Sequence, residues 1–197
     1  MGLTESVLAA LADASEALTD HGVLVMCGFP GSGKSTAAAW VAAQAGAYVL
    51  DKDDFASRLE RDVMGALVGD PSDRNSELYW SVMVPGIYEG LIRTGLGIAV
   101  HHPIVLDGPF LSVIRQAADA GLSLGQHIRA VAQAPDSLVV HSVWLDSSAV
   151  QIKQRMITRG AERDRGKLAD WETYRQNVLD SGTREIAHTV VDVVISN

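Results

Sequence analysis

The nine residues GFPGSGKST, Gly28 to Thr36, directly follow the apolar run VLVMC. No other stretch of the 197-residue chain constrains the fold as strongly. Gly28, Gly33, Lys34 and Ser35 satisfy the spacing G-x-x-x-x-G-K-[S/T]. A buried strand reads up to Cys27, and an alanine-rich helix reads on from Thr36 to Ala45. That context turns the spacing into a phosphate-binding loop. Pro30, Gly31, Ser32 and Gly33 form its cradle, where glycines let backbone N–H groups turn inward around an anion. The helix beginning near Lys34 adds the positive end of its dipole. Lys34 brings an ammonium to the β- and γ-phosphates, the Ser35 hydroxyl suits Mg²⁺, and Thr36 lies beside the α-phosphate. The expected ligand is a nucleoside triphosphate with Mg²⁺.

Strand and helix patterns alternate along the rest of the chain. Strands are expected at about 22–27, 47–50, 102–107, 138–145 and 190–196. Helices are expected at about 4–19, 36–45, 54–67, 76–94, 112–133, 147–159 and 169–181. Pro85 should kink or split the fourth of these, and Gly121 and Gly125 should break the fifth. GDPSDRN (69–75) reads as a loop, and GAERDRGK (160–167) as a charged, mobile one. Such alternation implies a parallel sheet covered on both faces. One domain spanning 1–197 is expected, without repeat or linker.

Composition narrows the function classes. The net charge of −8 weighs against nucleic acid as a partner. No apolar run is long enough to span a membrane. The single cysteine, Cys27, fits a buried thiol in a reducing compartment, and a cytoplasmic location is expected.

Two further strand ends carry carboxylates, where ligands bind in open parallel sheets. YVL is followed by DKDDF, with Asp51, Asp53 and Asp54, and IVL is followed by Asp107 and GPF. Asp53 is placed to accept a proton from a hydroxyl, and Asp107 to join Ser35 in holding Mg²⁺. Asp54 fits equally well as an acidic residue at a helix start. QRMITRGAERDRGK carries Arg155, Arg159, Arg163 and Arg165. Arginine suits multidentate phosphate contacts.

GFPGSGKST followed by YVLDKDDF resembles the small P-loop kinases that include polynucleotide 5′-kinase, chloramphenicol phosphotransferase, gluconate kinase and the zeta toxins. The resemblance implies a three-layer α/β/α fold with a five-stranded parallel sheet of order 2-3-1-4-5. It implies ATP as donor, Asp53 as the catalytic aspartate and Phe55 in the aromatic position. The arginine that serves polynucleotide recognition in that family is replaced by Ala56. The arginine run is similar to the adenylate kinase lid. That likeness assigns Arg155 to the adenine and Arg159 to the phosphates, with Arg163 and Arg165 closing on the transferred group. It sets a lid at about 159–168. The acceptor region is then about 54–100, where Leu78, Val82, Met83 and Ile87 read as the core side of a helix and Tyr79 and Trp80 as packing.

The expected reaction moves the γ-phosphoryl group of ATP to a hydroxyl of a metabolite, nucleoside or antibiotic, in a monomer or homodimer. The alternatives are a polynucleotide or nucleotide-sugar kinase and, in another class, a nucleotide-dependent switch without an acceptor. No Asn-Lys-x-Asp guanine reader is present.

Overall fold

The computed structural model describes residues 2–18, 21–74 and 76–197. Five strands, β1 (Val23–Cys27), β2 (Tyr48–Asp51), β3 (Ile104–Asp107), β4 (Val140–Asp146) and β5 (Val193–Ser196), form one sheet. Its order is β2-β3-β1-β4-β5 and every pairing is parallel. The expected α/β/α fold and sheet order are therefore the observed ones.

The reason lies in β1. All five of its residues are buried. Val23, Val25 and Cys27 enter one apolar cluster, and Leu24 and Met26 enter another on the opposite face. A strand with two apolar faces needs helices on both sides. The first cluster packs under α3 (Lys52–Leu67), α4 (Val84–Ala99), α5 (Leu111–Asp119), α6 (Leu124–Ala132) and α10 (Thr183–Val190). The second packs under α1 (Glu5–Ser15) and α2 (Lys34–Ala45). The Cys27 thiol is buried and donates to the Val143 carbonyl at 3.1 Å, and burial pushes its pKa far up. It is an inert core group.

Several local expectations change. Helix α1 ends at Ser15, and the expected boundary at residue 19 lies outside the described residues, as does Asn75 at the end of the loop at 69–75. Pro85 does not split its helix. A single π turn, Tyr79–Met83, in which the Val84 N–H donates to the Tyr79 carbonyl, leads into Pro85 in the first turn of α4. The wider turn accommodates the ring without ending the helix. It also shifts the helical face by one residue, so Val82 is exposed where core was expected, while Tyr79, Met83 and Ile87 are buried. Trp80 is also exposed.

Gly121 does break the helix at 112–133. Gly125 lies inside α6, where a Cβ would stand 2.7 Å from the Val140 carbonyl oxygen. It is a close-packing glycine, not a breaker. The expected charged loop at 160–167 is partly helical. It comprises a 3-10 turn, Glu162–Asp164, and α8 (Arg165–Ala169), which follow α7 (Ala149–Arg159). The helix expected at 169–181 is divided into α9 (Trp171–Tyr174) and a π turn, Arg175–Leu179.

Among the described residues, no helix is long and apolar enough to cross a membrane.

Candidate active site

The glycine loop runs from β1 into α2 at the carboxyl edge of the sheet. Gly28, Gly31 and Gly33 have φ of 145°, 86° and 101°, a region that side chains disfavour. Gly33 precedes Lys34 as the helix cap and provides no side-chain hydrogen bond. The first N–H groups of α2 are thus left for a ligand. Pro30 shapes the loop without offering an N–H of its own. The Ser32 hydroxyl is buried and without a hydrogen-bond partner. Its carbonyl is held firmly: Arg155 Nη1 donates to it at 2.7 Å and Asn197 Nδ2 at 2.8 Å.

Lys34 is buried, with its ammonium donating to the Phe29 carbonyl at 3.0 Å. Burial pulls its pKa down, and the Asp107 charge opposes that shift. Asp107 ends β3 in register with Asp51 at the end of β2. Both Asp107 carboxylate oxygens are buried without a well-formed hydrogen bond. Burial raises its pKa to about 6, Lys34 and the Ser35 hydroxyl oppose the rise, and Asp51 adds to it. A buried carboxylate of this kind costs stability unless something positive meets it. Ser35 and Asp107 supply hard oxygen donors and fit Mg²⁺.

Asp51 has a structural task. Its carboxylate accepts from the Asp53 and Asp54 N–H groups at 2.6 and 3.2 Å and caps α3. The cap fixes Asp53 just past the carboxyl end of β2, near enough for its charge to act on Lys34, while Asp54 is exposed. Asp53 accepts a hydrogen bond from Arg163 Nη1, which arrives from the turn Glu162–Asp164. The Lys52 ammonium flanks the same carboxylate at 3.6 Å.

The other arginines of the run are sorted by their partners. Arg159 makes a two-pronged pair with the fully buried Asp164, at 2.5 and 2.8 Å. Arg165 is paired with Glu162 on the surface at 2.9 Å. Arg155, assigned by resemblance to the adenine, lines the cavity beside the glycine loop while its guanidinium is tied to Ser32 and, at 2.9 Å, to the Ser147 hydroxyl. Burial pulls its pKa down. The cavity is about 450 Å³ and is lined by Gly31, Gly33 and Thr36 together with Arg155, Arg159, Gln154, Leu3 and Asn197. That volume suits a nucleotide.

Glu60 is the residue that sequence reading missed. It is buried in α3, where its carboxylate accepts from Lys52 at 2.6 Å and from the Tyr79 hydroxyl at 3.0 Å. Arg74 approaches its other oxygen at 3.6 Å. Burial and the Glu60 charge push the Tyr79 hydroxyl pKa up. The signal was present: Ala56, Glu60 and Met64 make one buried i, i+4 stripe, and a carboxylate there requires partners.

The family model AAA_33, described as an AAA domain, matches residues 23–179. The chain belongs to this family. It is also 30% identical over 152 residues to the protein named Uncharacterized protein Rv2004c of Mycobacterium tuberculosis, a match covering 73% of this chain. The chain spans about 30% of the length of that relative and of its Mycobacterium bovis counterpart. The fold is similar to that of shikimate kinase from Acinetobacter baumannii in complex with shikimate. The TM-score is 0.52 at 17% identity, covering 93% of this chain and 87% of that one. It is likewise similar to a sugar kinase from Janibacter sp. HTCC2649. There the TM-score is 0.50 at 20% identity, covering 90% and 84% of the two chains.

Proposed function

We propose that residues 1–197 form one ATP-dependent kinase domain, which transfers the γ-phosphoryl group to a hydroxyl of a small molecule. The lid is the segment at about 159–168 and the acceptor region is 54–100. The observation that carries this reading is the meeting of Asp53 and Arg163. A carboxylate whose charge acts on the glycine-loop lysine, Lys34, meets an arginine delivered by a separate segment. A nucleotide-binding site alone needs no such carboxylate. The kinases named among the fold neighbours act on small molecules, which supports the same class.

In this mechanism Asp53 accepts a hydrogen bond from the acceptor hydroxyl and takes its proton as the new O–P bond forms. The bond from the γ-phosphorus to the bridging oxygen breaks, and Lys34 neutralises charge gathering on the departing diphosphate. Arg163, and Arg159 beside it in the lid, meet the transferred phosphoryl. Ser35 and Asp107 would hold Mg²⁺, which supplies charge neutralisation on the polyphosphate.

Ala56 favours a small acceptor over a polynucleotide. It is buried, so nothing at that position reaches a strand of nucleic acid, and Arg58 is paired with Asp62 at 3.0 Å on the surface. The test measures ADP release with sugars, hydroxy acids, nucleosides and hydroxylated antibiotics, for wild type and Asp53→Ala. Stimulation by one class in wild type and its loss in Asp53→Ala support the reading. No stimulation by any compound, or stimulation that survives Asp53→Ala, defeats it.

A further inference from the structure

The family model covers residues 23–179 and leaves out both α1 with the segment before it and everything after residue 179. Those two excluded parts meet at one place. Leu3, just before α1, and Asn197, just after β5, both line the 450 Å³ cavity above the glycine loop.

Their convergence has a packing cause. Val7, Leu11 and Ala14 of α1 enter the same apolar cluster as Ala37, Ala38 and Val41 of α2 and Ile195 of β5. Leu3 packs at the edge of that cluster. Helix α1 is therefore clamped across the helix that begins at Lys34, and this places Leu3 at the cavity. Asn197 is fixed by its own backbone, whose N–H donates to the Asp146 carbonyl at 2.8 Å. Its side-chain amide then reaches the Ser32 carbonyl. A Cβ at Gly33 would stand 2.8 Å from that amide nitrogen. The loop and Asn197 are in direct contact.

The lining residues fall into two kinds by chemistry. Gly31, Gly33 and Thr36 belong to the glycine loop and the first turn of α2, which suit phosphate. Leu3 is the apolar side chain among the lining residues, and no acidic side chain is among them. An apolar wall suits the face of a nucleobase and contributes nothing to a phosphate.

We propose that the segment before α1 forms the nucleobase wall of the site through Leu3, and that Asn197 is a positioning residue that holds the glycine loop through the Ser32 carbonyl. This rests on the nucleotide-binding reading above and adds to it two residues outside the family segment. The two residues act on different parts of the ligand, so a ligand without a base separates them.

The test is calorimetric titration with Mg-ADP and with Mg-tripolyphosphate, which has phosphates and no base. Leu3→Ala should weaken Mg-ADP by about five- to tenfold while tripolyphosphate stays within about twofold. Leu3→Met should restore Mg-ADP binding. Asn197→Ala should weaken both ligands. Val7→Ala, in the α1 core away from the cavity, serves as the control for a loosened helix. The Leu3 assignment is overturned if Leu3→Ala leaves Mg-ADP unchanged, if it weakens both ligands alike, or if Val7→Ala reproduces its effect. The Asn197 assignment is overturned if Asn197→Ala spares tripolyphosphate. A wild type that binds tripolyphosphate but not ADP removes the nucleobase wall and keeps the phosphate loop. A wild type that binds neither removes the proposed function and this inference with it.

Discussion

Arg163, in the turn Glu162–Asp164, donates to the carboxylate of Asp53, at the start of α3 and 110 residues earlier in sequence. The pair joins the turn after α7 to the proposed base. Both side chains are about half exposed, at 52% and 44%. Exposed pairs contribute about 0–1 kcal/mol. In the proposed reaction polyphosphate would compete with Asp53 for Arg163, and the contact would mark where that arginine meets the reacting group.

Arg163→Ala should therefore change unfolding free energy by no more than about 1 kcal/mol. If the proposed reaction is correct, it should lower kcat by about 100-fold or more, with nucleotide affinity changed far less. Denaturant titration and ADP-release kinetics check the two halves separately. A large loss of stability would assign Arg163 a structural role.

Glu60 behaves differently, because its carboxylate and Lys52 are both shielded, at 3% and 12% exposure. Glu60→Ala leaves the Lys52 ammonium and the Tyr79 hydroxyl without their shared acceptor and should cost about 3 kcal/mol. Adding Lys52→Met to Glu60→Ala should recover part of that loss, since the stranded charge is gone. Urea denaturation of the single and double variants measures the coupling. Additive losses would mean that the pair is not a unit.

The lid has its own pH dependence. Burial alone would raise the Asp164 pKa, yet hydrogen bonds and charge from Arg159 and Lys167 bring it below the ordinary carboxylate value. A depressed folded-state pKa contributes stability above the unfolded value of about 4 and loses it as pH falls through the folded one. Below about pH 4 the lid should loosen in wild type. Asp164→Asn should show the loosened lid already at pH 7, with little further change on acidification. Hydrogen exchange of residues 159–169 across pH 3–7 reads this directly. Equal acid sensitivity in wild type and variant would contradict it.

Gly28 tests the loop itself. A Cβ there would lie 2.6 Å from the Leu145 carbonyl oxygen, at a φ that side chains resist. Gly28→Ala should destabilise the fold by about 2 kcal/mol or more and weaken Mg-nucleotide binding. Gly46→Ala, at a helix end with open space around it, should leave nucleotide binding unchanged. Thermal melts with and without Mg-ADP compare the two.

Much of the architecture is written locally. VLVMC has two apolar faces, and its periodicity demanded helices on both sides before any contact was known. The loop glycines and the carboxylates ending β2 and β3 were legible for the same reason, because spacing and strand ends are properties of short segments. The π turn before Pro85 was not legible, since proline signals only that a regular turn is disturbed and leaves open how the chain adapts.

The sequence by itself determined the parallel sheet, its phosphate loop and the residues available at its carboxyl edge. Only the tertiary structure decided which arginine serves which partner: Arg163 meets Asp53, Arg159 meets Asp164, and Arg155 is tied to Ser32. Four arginines within eleven positions share the same local chemistry. Their roles diverge because each folded position offers a different acceptor, and those acceptors come from segments up to 123 residues away.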